Sequence, residues 1–346
     1  MSHNPIAIAP ELSAREARLR YISGRERGYR RRRCGRGYSY LDPQGKVVRD
    51  TEQRQWLESL AIPPAWQEVW ISPYRNGHIL ATGRDEKGRK QYIYHPRWTE
   101  QRKRTNFHQL LDFGHALPAL RQRIDADLRR PGLCRERVVA LVVYLLESTM
   151  IRVGNPEYAR ANRSYGLTTL REEHLEVNGN RIHFEFQGKS GRWIKVDLRD
   201  RRAARAIQRC EELPGQALFQ YLDEDGLPRQ VESADVNDYL SAVTGEEFTA
   251  KMFRTWGGSI TAMRHLLQCP QPGTKKEAEA NLCEAVKAAS RQLRNTVTVC
   301  RQHYVHPRIG ESYLAGDFQR LCGEPEPIDG LDESECALMG LLRAAK

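Results

Sequence analysis

Three residues stand where a side chain could act on a phosphodiester. Arg152 lies in Ile151-Arg152-Val153-Gly154, just past a strongly apolar run. Arg254 lies in Lys251-Met252-Phe253-Arg254-Thr255-Trp256-Gly257, a cation among apolar neighbours. Tyr304 follows Asn295 by nine residues, behind a helical segment. A charge beside a core helix is costly unless it is paired or working. Phosphoryl transfer without a metal asks for such cations. The non-bridging oxygens gain charge in the pentacoordinate transition state, and an arginine fork can hold them bidentately. The reaction also needs a nucleophile and a proton donor for the leaving oxygen. A tyrosine nucleophile suits reversible chemistry, because its phosphoester keeps the bond energy for resealing. Each residue has a structural account as well. Arg152 could complement a helix dipole, Arg254 could sit in an ion pair, and Tyr304 could be a half-buried core residue. Spacing alone does not join them into a site.

Other constellations dissolve on inspection. Gly188-Lys189-Ser190 resembles the end of a phosphate-binding Walker loop, but His183 stands where the first glycine is required. The lysine also falls on a hairpin tip rather than at a helix start. Cys300, His303 and His306 have the spacing of metal ligands on one helix face, with no second pair to complete a site. Gly-x-Ser-x-Gly and His-Glu-x-x-His do not occur. Nothing in the sequence argues for a nucleotide cofactor or a metal.

The elements that must carry these residues are read from charge and periodicity. The 346 residues include 55 Lys+Arg against 44 Asp+Glu, a net charge of +11, which favours a polyanionic partner. Residues 15–36 hold ten arginines and two glutamates, with Arg30 to Arg33 consecutive and tyrosines interleaved. This pattern suits phosphate neutralisation beside aromatic packing, or else a solvated arm. The longest apolar run, Val138 to Leu146, is nine residues and too short to span a membrane. The amino terminus has no secretory pattern, and the eight cysteines are scattered without a Cys-x-x-Cys pair. Reduced thiols and a cytoplasmic location are therefore expected.

Strands are expected at residues 38–48 around Asp42-Pro43-Gln44-Gly45, then at 68–72, 78–83 and 91–94. From Thr99 the pattern is helical. The run 138–146 reads as a buried helix ending near Gly154-Asn155. A hairpin follows, 181–187 and 192–198, turning at Gly188-Lys189-Ser190-Gly191. Thr274-Lys275-Lys276-Glu277 is a capping box ahead of the apolar stripe Ala278, Leu282, Val286, Ala289 and Leu293. Proline and acidic residues rise after Gly323, suggesting a peripheral tail. The expected fold class is α+β. It comprises a basic arm at 1–34, a small β-sheet amino-terminal domain at 35–98, and a larger, mainly α-helical domain with a β-hairpin at 99–346.

Five stretches, in order over about residues 35 to 310, resemble type IB DNA topoisomerases of the small poxvirus-like and bacterial branch. They are Thr82-Gly83-Arg84-Asp85-Glu86-Lys87-Gly88-Arg89-Lys90-Gln91-Tyr92-Ile93-Tyr94; Ile151 to Ala159 with Ser164 to Leu170; Gly188-Lys189; Phe253-Arg254-Thr255-Trp256-Gly257; and Asn295 through Tyr304. The resemblance implies that Arg152 and Arg254 hold a scissile phosphate. It implies that Lys189 protonates the leaving 5′-oxygen and that Tyr304 forms a 3′-phosphotyrosyl bond. Asn295 stands where many members have histidine, donating a hydrogen bond to a non-bridging oxygen; bacterial members resemble this chain there. Tyr92 and Tyr94 match paired DNA-contacting tyrosines. Lys87 and Arg89 look like backbone or groove contacts, and Tyr158 and Lys251 match phosphate-contacting positions. The implied enzyme is a monomer that clamps duplex DNA and relaxes supercoils of both signs without ATP or metal. The alternatives are a tyrosine recombinase, disfavoured by Lys251 at the first place of its His-x-x-Arg pattern and by the strand-rich amino domain, or a non-catalytic duplex-binding protein.

Overall fold

The computed structural model describes residues 10–24, 26–35, 37–322 and 326–344. The start of the expected arm, Arg25 and Arg36 within its basic run, and the first residues of the expected tail lie outside the described residues.

Two compact units divide between Asn106 and Phe107. The first opens with α1 (Pro10–Glu16) and then forms β1 (Tyr29–Cys34), β2 (Gly37–Leu41), α2 (Thr51–Ser59), β3 (Gln67–Ile71), β4 (Ile79–Arg84) and β5 (Lys90–Tyr94). The strands make one antiparallel sheet in the order β2-β1-β3-β4-β5. Tyr40, Leu57, Ile62, Val69, Ile71 and Ala81 form its buried cluster. Period-two alternation puts Val69 and Ile71 on the inner face.

The basic run is not an arm. Arg30 to Arg33 lie in β1, hydrogen-bonded to β2 along its length and to β3 at Tyr29–Ile71 and Arg30–Trp70. Arg31 is part of the scaffold. Its guanidinium donates to the carbonyls of Ile62, Pro63 and Trp66 at 2.8–2.9 Å and lies over the Tyr38 ring. The Asp42 turn forms as expected, its carboxylate accepting the Gln44 and Lys46 amides. Only the Leu41–Val47 bridge extends it, because the partner of β2 is β1.

The helix α3 (Pro96–Leu128) runs through the division, and the second unit continues with α4 (Arg135–Thr149), α5 (Pro156–Asn162), β6 (Leu175–Asn178), β7 (Arg181–Gln187), β8 (Trp193–Arg199), α6 (Arg201–Glu211), β9 (Gln220–Leu222) and β10 (Pro228–Gln230). It ends with α7 (Ser233–Thr244), α8 (Lys251–Gln268), α9 (Lys275–Leu293), α10 (Val297–His303), α11 (Pro307–Ala315), α12 (Phe318–Cys322) and α13 (Glu333–Arg343). The fold is α+β: a sheet-bearing first unit and a mainly helical second one carrying the antiparallel β6-β7-β8 sheet.

The central helix α4 is apolar nearly all round because the core surrounds it; Val138 through Val143, Leu145 and Leu146 are all buried. It ends at Met150, held left-handed at φ 56°, and not near Gly154. Asn155 instead starts the next helix, its side chain accepting the amides of Glu157 and Tyr158. The tail is not peripheral either. In α13, Leu338, Met339 and Leu341 are fully buried. Glu335 pairs with Arg121 at 2.7 Å and accepts the Trp256 indole N–H at 3.0 Å, tying α13 to α3 and α8.

Candidate active site

Four chain segments converge in the helical unit, and the ends of two helices explain how cations can be buried there. The last carbonyls of a helix lack intrahelical partners and carry about half a unit of negative charge. Arg254, in the first turn of α8, donates to the carbonyl of Met150 at the end of α4, and to that of Leu293 at the end of α9 at 2.8 Å. Arg294 donates to the carbonyl of Thr149, also at the end of α4, at 3.1 Å. These dipoles stand where carboxylates would stand in an ordinary buried ion pair, so the expected structural account of Arg254 fails.

Partial charges do not neutralise whole ones. Arg254 is only 4% exposed. Burial and the neighbouring Arg152 charge bring its pKa down to about 10, with Tyr304 opposing the shift. Burial also lowers Arg152 and Arg294, and among the described residues none of the three guanidiniums makes an ion pair with a carboxylate. Two donors nearby are unused: Nε of Arg254 and Nδ2 of Asn295 are buried without a hydrogen-bond partner among the described residues. A cluster of desolvated cations with idle donors is a site prepared for an anion.

Backbone geometry fixes the cluster. The loop after α4 is clasped by two hydrogen bonds, Leu167 N to Arg152 O and Thr168 N to Val153 O, at 2.9 and 2.7 Å. Gly166 lies so close that a Cβ there would sit 2.6 Å from Arg152 O. Asn295 follows the left-handed Arg294 that closes α9, and its amide returns to Ser290 O at 3.0 Å. Its Oδ1 accepts from Arg152 Nη2 at 2.5 Å, which leaves Nδ2 free to donate. Tyr304 ends α10, half-buried, and its ring lies 5.2 Å from the Arg254 guanidinium carbon. Its carbonyl accepts from Ser259 Oγ at 3.3 Å. Gly258 admits this approach, since a Cβ there would lie 2.8 Å from Tyr304 O.

Lys189 comes from the tip of the β7-β8 hairpin, where Ser190 takes φ 64°. The hairpin end is tied to the 164–170 loop by Ser164 Oγ to Gly188 O at 2.7 Å and Tyr165 N to Gln187 O at 2.8 Å. Lys189 is exposed at the rim of a narrow cleft that Arg152, Arg254 and Arg294 also line. Lys189 thus stands at the mouth and the guanidiniums at the floor. All five expected site residues therefore fall in one region of one unit. Arg294 was missed: at the end of a helix it reads as an ordinary C-terminal charge, and only the α4 carbonyl reveals its place.

Two of the three residues with metal-ligand spacing have other roles. Cys300 is fully buried in the core. Its thiol is pushed up by burial, with Arg254 and Arg152 opposing. His306 caps α11, accepting the Arg308 amide, and burial brings its pKa down to about 4.

The expected DNA contacts are spread over both units. In the sheet unit Tyr92 and Tyr94 share the exposed face of β5 and stack at 5.7 Å, with Lys90 over Tyr92. Lys90 was missed, although period-two spacing places it with the tyrosines. Lys87 is exposed at the tip of the Asp85 turn. Arg89 is folded back on Asp85 at 2.5 Å, and this pairing brings the carboxyl down to about 2. In the helical unit Tyr158 projects, 46% exposed, from α5. Lys251 opens α8 one turn before Arg254.

This arrangement sets the guanidiniums of a narrow cleft against a half-buried tyrosine. Residues 95–312 match the family described as eukaryotic DNA topoisomerase I, catalytic core, and residues 37–85 match bacterial DNA topoisomerase IB, N-terminal domain. The chain is 34% identical over 302 residues to DNA topoisomerase 1B of Acanthamoeba polyphaga mimivirus, covering 85% of this chain and 89% of that protein. It is 26% identical over 159 residues to DNA topoisomerase 1B of vaccinia virus strain Copenhagen, covering 44% and 48% respectively. DNA topoisomerase I, mitochondrial, of Rattus norvegicus is 26% identical over 202 residues, covering 56% and 32%. The chain belongs to the type IB DNA topoisomerase family. These matches favour that family over the recombinase alternative.

Proposed function

We infer that Tyr304 is the nucleophile of a supercoil-relaxing reaction on duplex DNA. The observation that carries this reading is the cluster of buried guanidiniums, held by helix-end carbonyls rather than carboxylates, against the Tyr304 ring. The scissile phosphate replaces the missing anion. Arg152, Arg254 and the idle Nδ2 of Asn295 hold its non-bridging oxygens as charge grows on them. The Tyr304 oxygen attacks phosphorus, the phenol proton goes to solvent, and a 3′-phosphotyrosyl ester forms. The bond to the 5′-oxygen breaks, and Lys189 at the cleft mouth protonates that leaving oxygen. The free strand rotates about the intact one, and the 5′-hydroxyl then attacks the ester to reseal the backbone. The ester conserves bond energy, so the cycle needs neither ATP nor a metal.

The sheet unit contributes DNA contacts through Tyr92, Tyr94 and Lys87, with Arg89 oriented by Asp85. The helical unit adds Tyr158 and Lys251. The enzyme acts as a monomer on the nucleoid in the cytoplasm. The bacterial branch is supported by the amino-terminal match and by Asn295. The test is trapping with denaturant on a radiolabelled duplex. Wild type leaves protein joined to the 3′-phosphate side of the break, and Tyr304→Phe leaves none while still binding the duplex. An adduct formed by Tyr304→Phe overturns the assignment.

A further inference from the structure

A second concavity lies beside the reaction cleft and belongs wholly to the helical unit. It is a groove of about 510 Å³, within the size range of small-ligand sites. Its floor is aromatic: Tyr165 and His174 lie 4.2 Å apart, and His174 and Phe186 lie 6.2 Å apart. Arg160, Arg163 and Arg171 line it, against the single carboxylate of Glu173. Arg171 spends its charge on Glu173 at 3.8 Å and on the Tyr165 ring. Arg160 and Arg163 make no ion pair among the described residues, and both are exposed. At the lip stands Trp193, the first residue of β8, 66% exposed. Its position beside the arginines of the groove leaves an aromatic face open to a ligand held there. Tyr165 and Phe186 line both this groove and the cleft of Arg152 and Arg254, so one layer of side chains separates the two. Trp193 is four residues beyond Lys189 on the same hairpin.

We propose that this groove binds an unpaired nucleotide of a DNA strand, its base stacked on Trp193 and its phosphates held by Arg160 and Arg163. A paired base has both faces covered by its neighbours and offers nothing to an exposed indole. An unstacked base offers its π-face, and guanidiniums beside an aromatic platform are the chemistry of single-strand binding. The inference rests on the proposed reaction only for the source of that nucleotide: the 5′-hydroxyl strand released beside Lys189. Holding its end would slow its escape and limit free rotation between cleavage and resealing.

The test uses the full chain and a 5′-hydroxyl hexathymidylate labelled at its 3′ end, read by fluorescence anisotropy. Trp193→Ala, at an exposed position, should weaken hexamer binding at least ~5-fold, the lower end of one lost stacking contact. The Arg160→Ala/Arg163→Ala pair should also weaken it and flatten its salt dependence. Binding of a blunt 30-base-pair duplex should change less than ~2-fold in either case. Unchanged hexamer binding by Trp193→Ala overturns the proposal. Equal losses for hexamer and duplex overturn it too, since the groove would then be part of a duplex track. Thymidine monophosphate competing as well as the hexamer, mole for mole, overturns the assignment to a strand. Plasmid relaxation by wild type reads the parent reaction separately. Hexamer binding lost with Trp193 in an enzyme that relaxes nothing would uphold the groove and sink the reaction.

Discussion

Arg254 shows how a single side chain can be stable and reactive at once. Its guanidinium is satisfied on two nitrogens by helix-end carbonyls, yet its charge stays uncompensated and its Nε stays idle. Removing it should therefore cost transition-state stabilisation. Arg254→Ala or Arg152→Ala should slow single-turnover cleavage at least ~10²-fold, the usual loss for one preorganised donor. Near-wild-type cleavage by Arg254→Ala would return it to a purely structural role. Lys189 is at the rim and should act on the leaving group alone. Lys189→Ala should cleave poorly a natural duplex but regain most of its rate on one whose leaving 5′ atom is sulfur, which needs little protonation; no recovery would remove the proton-donor role. These residues were visible in the sequence as isolated oddities, a cation past a core helix and another among apolar neighbours. Their convergence was not, because four segments far apart in the chain meet there. Only the ordered resemblance joined them in advance, and it did not reach Arg294.

At the scale of elements, Tyr304 is positioned by the close approach of α8 to the end of α10. Gly258→Ala would put a methyl 2.8 Å from the Tyr304 carbonyl and 2.9 Å from a Leu293 methyl. Overpacking of this kind costs ~1–3 kcal/mol, and displacing a reacting group by about 1 Å can cost 10²-fold in rate. Cleavage should fall far more than duplex affinity, and wild-type cleavage would show that the Gly258 contact does not place Tyr304. The cap of α11 sets a pH limit. His306 has a folded pKa of about 4, below the ~6.5 of an unfolded imidazole. The unfolded chain binds the proton first, so the stability contribution is whole above pH ~6.5 and is lost as pH falls through about 4. About 3 kcal/mol is involved by linkage. His306→Asn puts an amide oxygen in place of the capping Nδ1 and should flatten this part of the stability profile by denaturant titration; an unchanged profile would show that other groups dominate it.

The same scale shows what sequence patterns could and could not reveal. The β7-β8 hairpin, α4 and α9 were legible from turn chemistry, unbroken apolarity and a capping box. β1 was not, because four consecutive arginines mask alternation, and the strand is defined by backbone pairing to β2 and β3. α2 was missed because only Trp56, Leu57 and Ser59-flanking Leu60 break its polarity. α13 was hidden behind a proline-rich acidic approach, although its Ala337-Leu338-Met339 and Leu341-Leu342 pairs pack in the core.

For the whole molecule, the basic charge now has an address. Arg30, Arg32 and Arg33 are exposed on β1, while Arg31 is committed to the carbonyls beneath it. Replacing the three exposed arginines with glutamine should keep the sheet and lower the slope of log affinity against log salt by as much as ~2.7 for duplex DNA. An unchanged slope would make them solvated charges without a phosphate partner. Arg31→Ala should instead destabilise the sheet unit, seen as a lower Tm.

The central claim is relaxation driven by a tyrosine ester alone, and agarose-gel relaxation of negatively and positively supercoiled plasmid, with excess EDTA and no ATP, tests it most directly. The structure and family membership predict that wild type relaxes both signs and Tyr304→Phe neither. Clear plasmid binding by wild type without relaxation of either sign would contradict it.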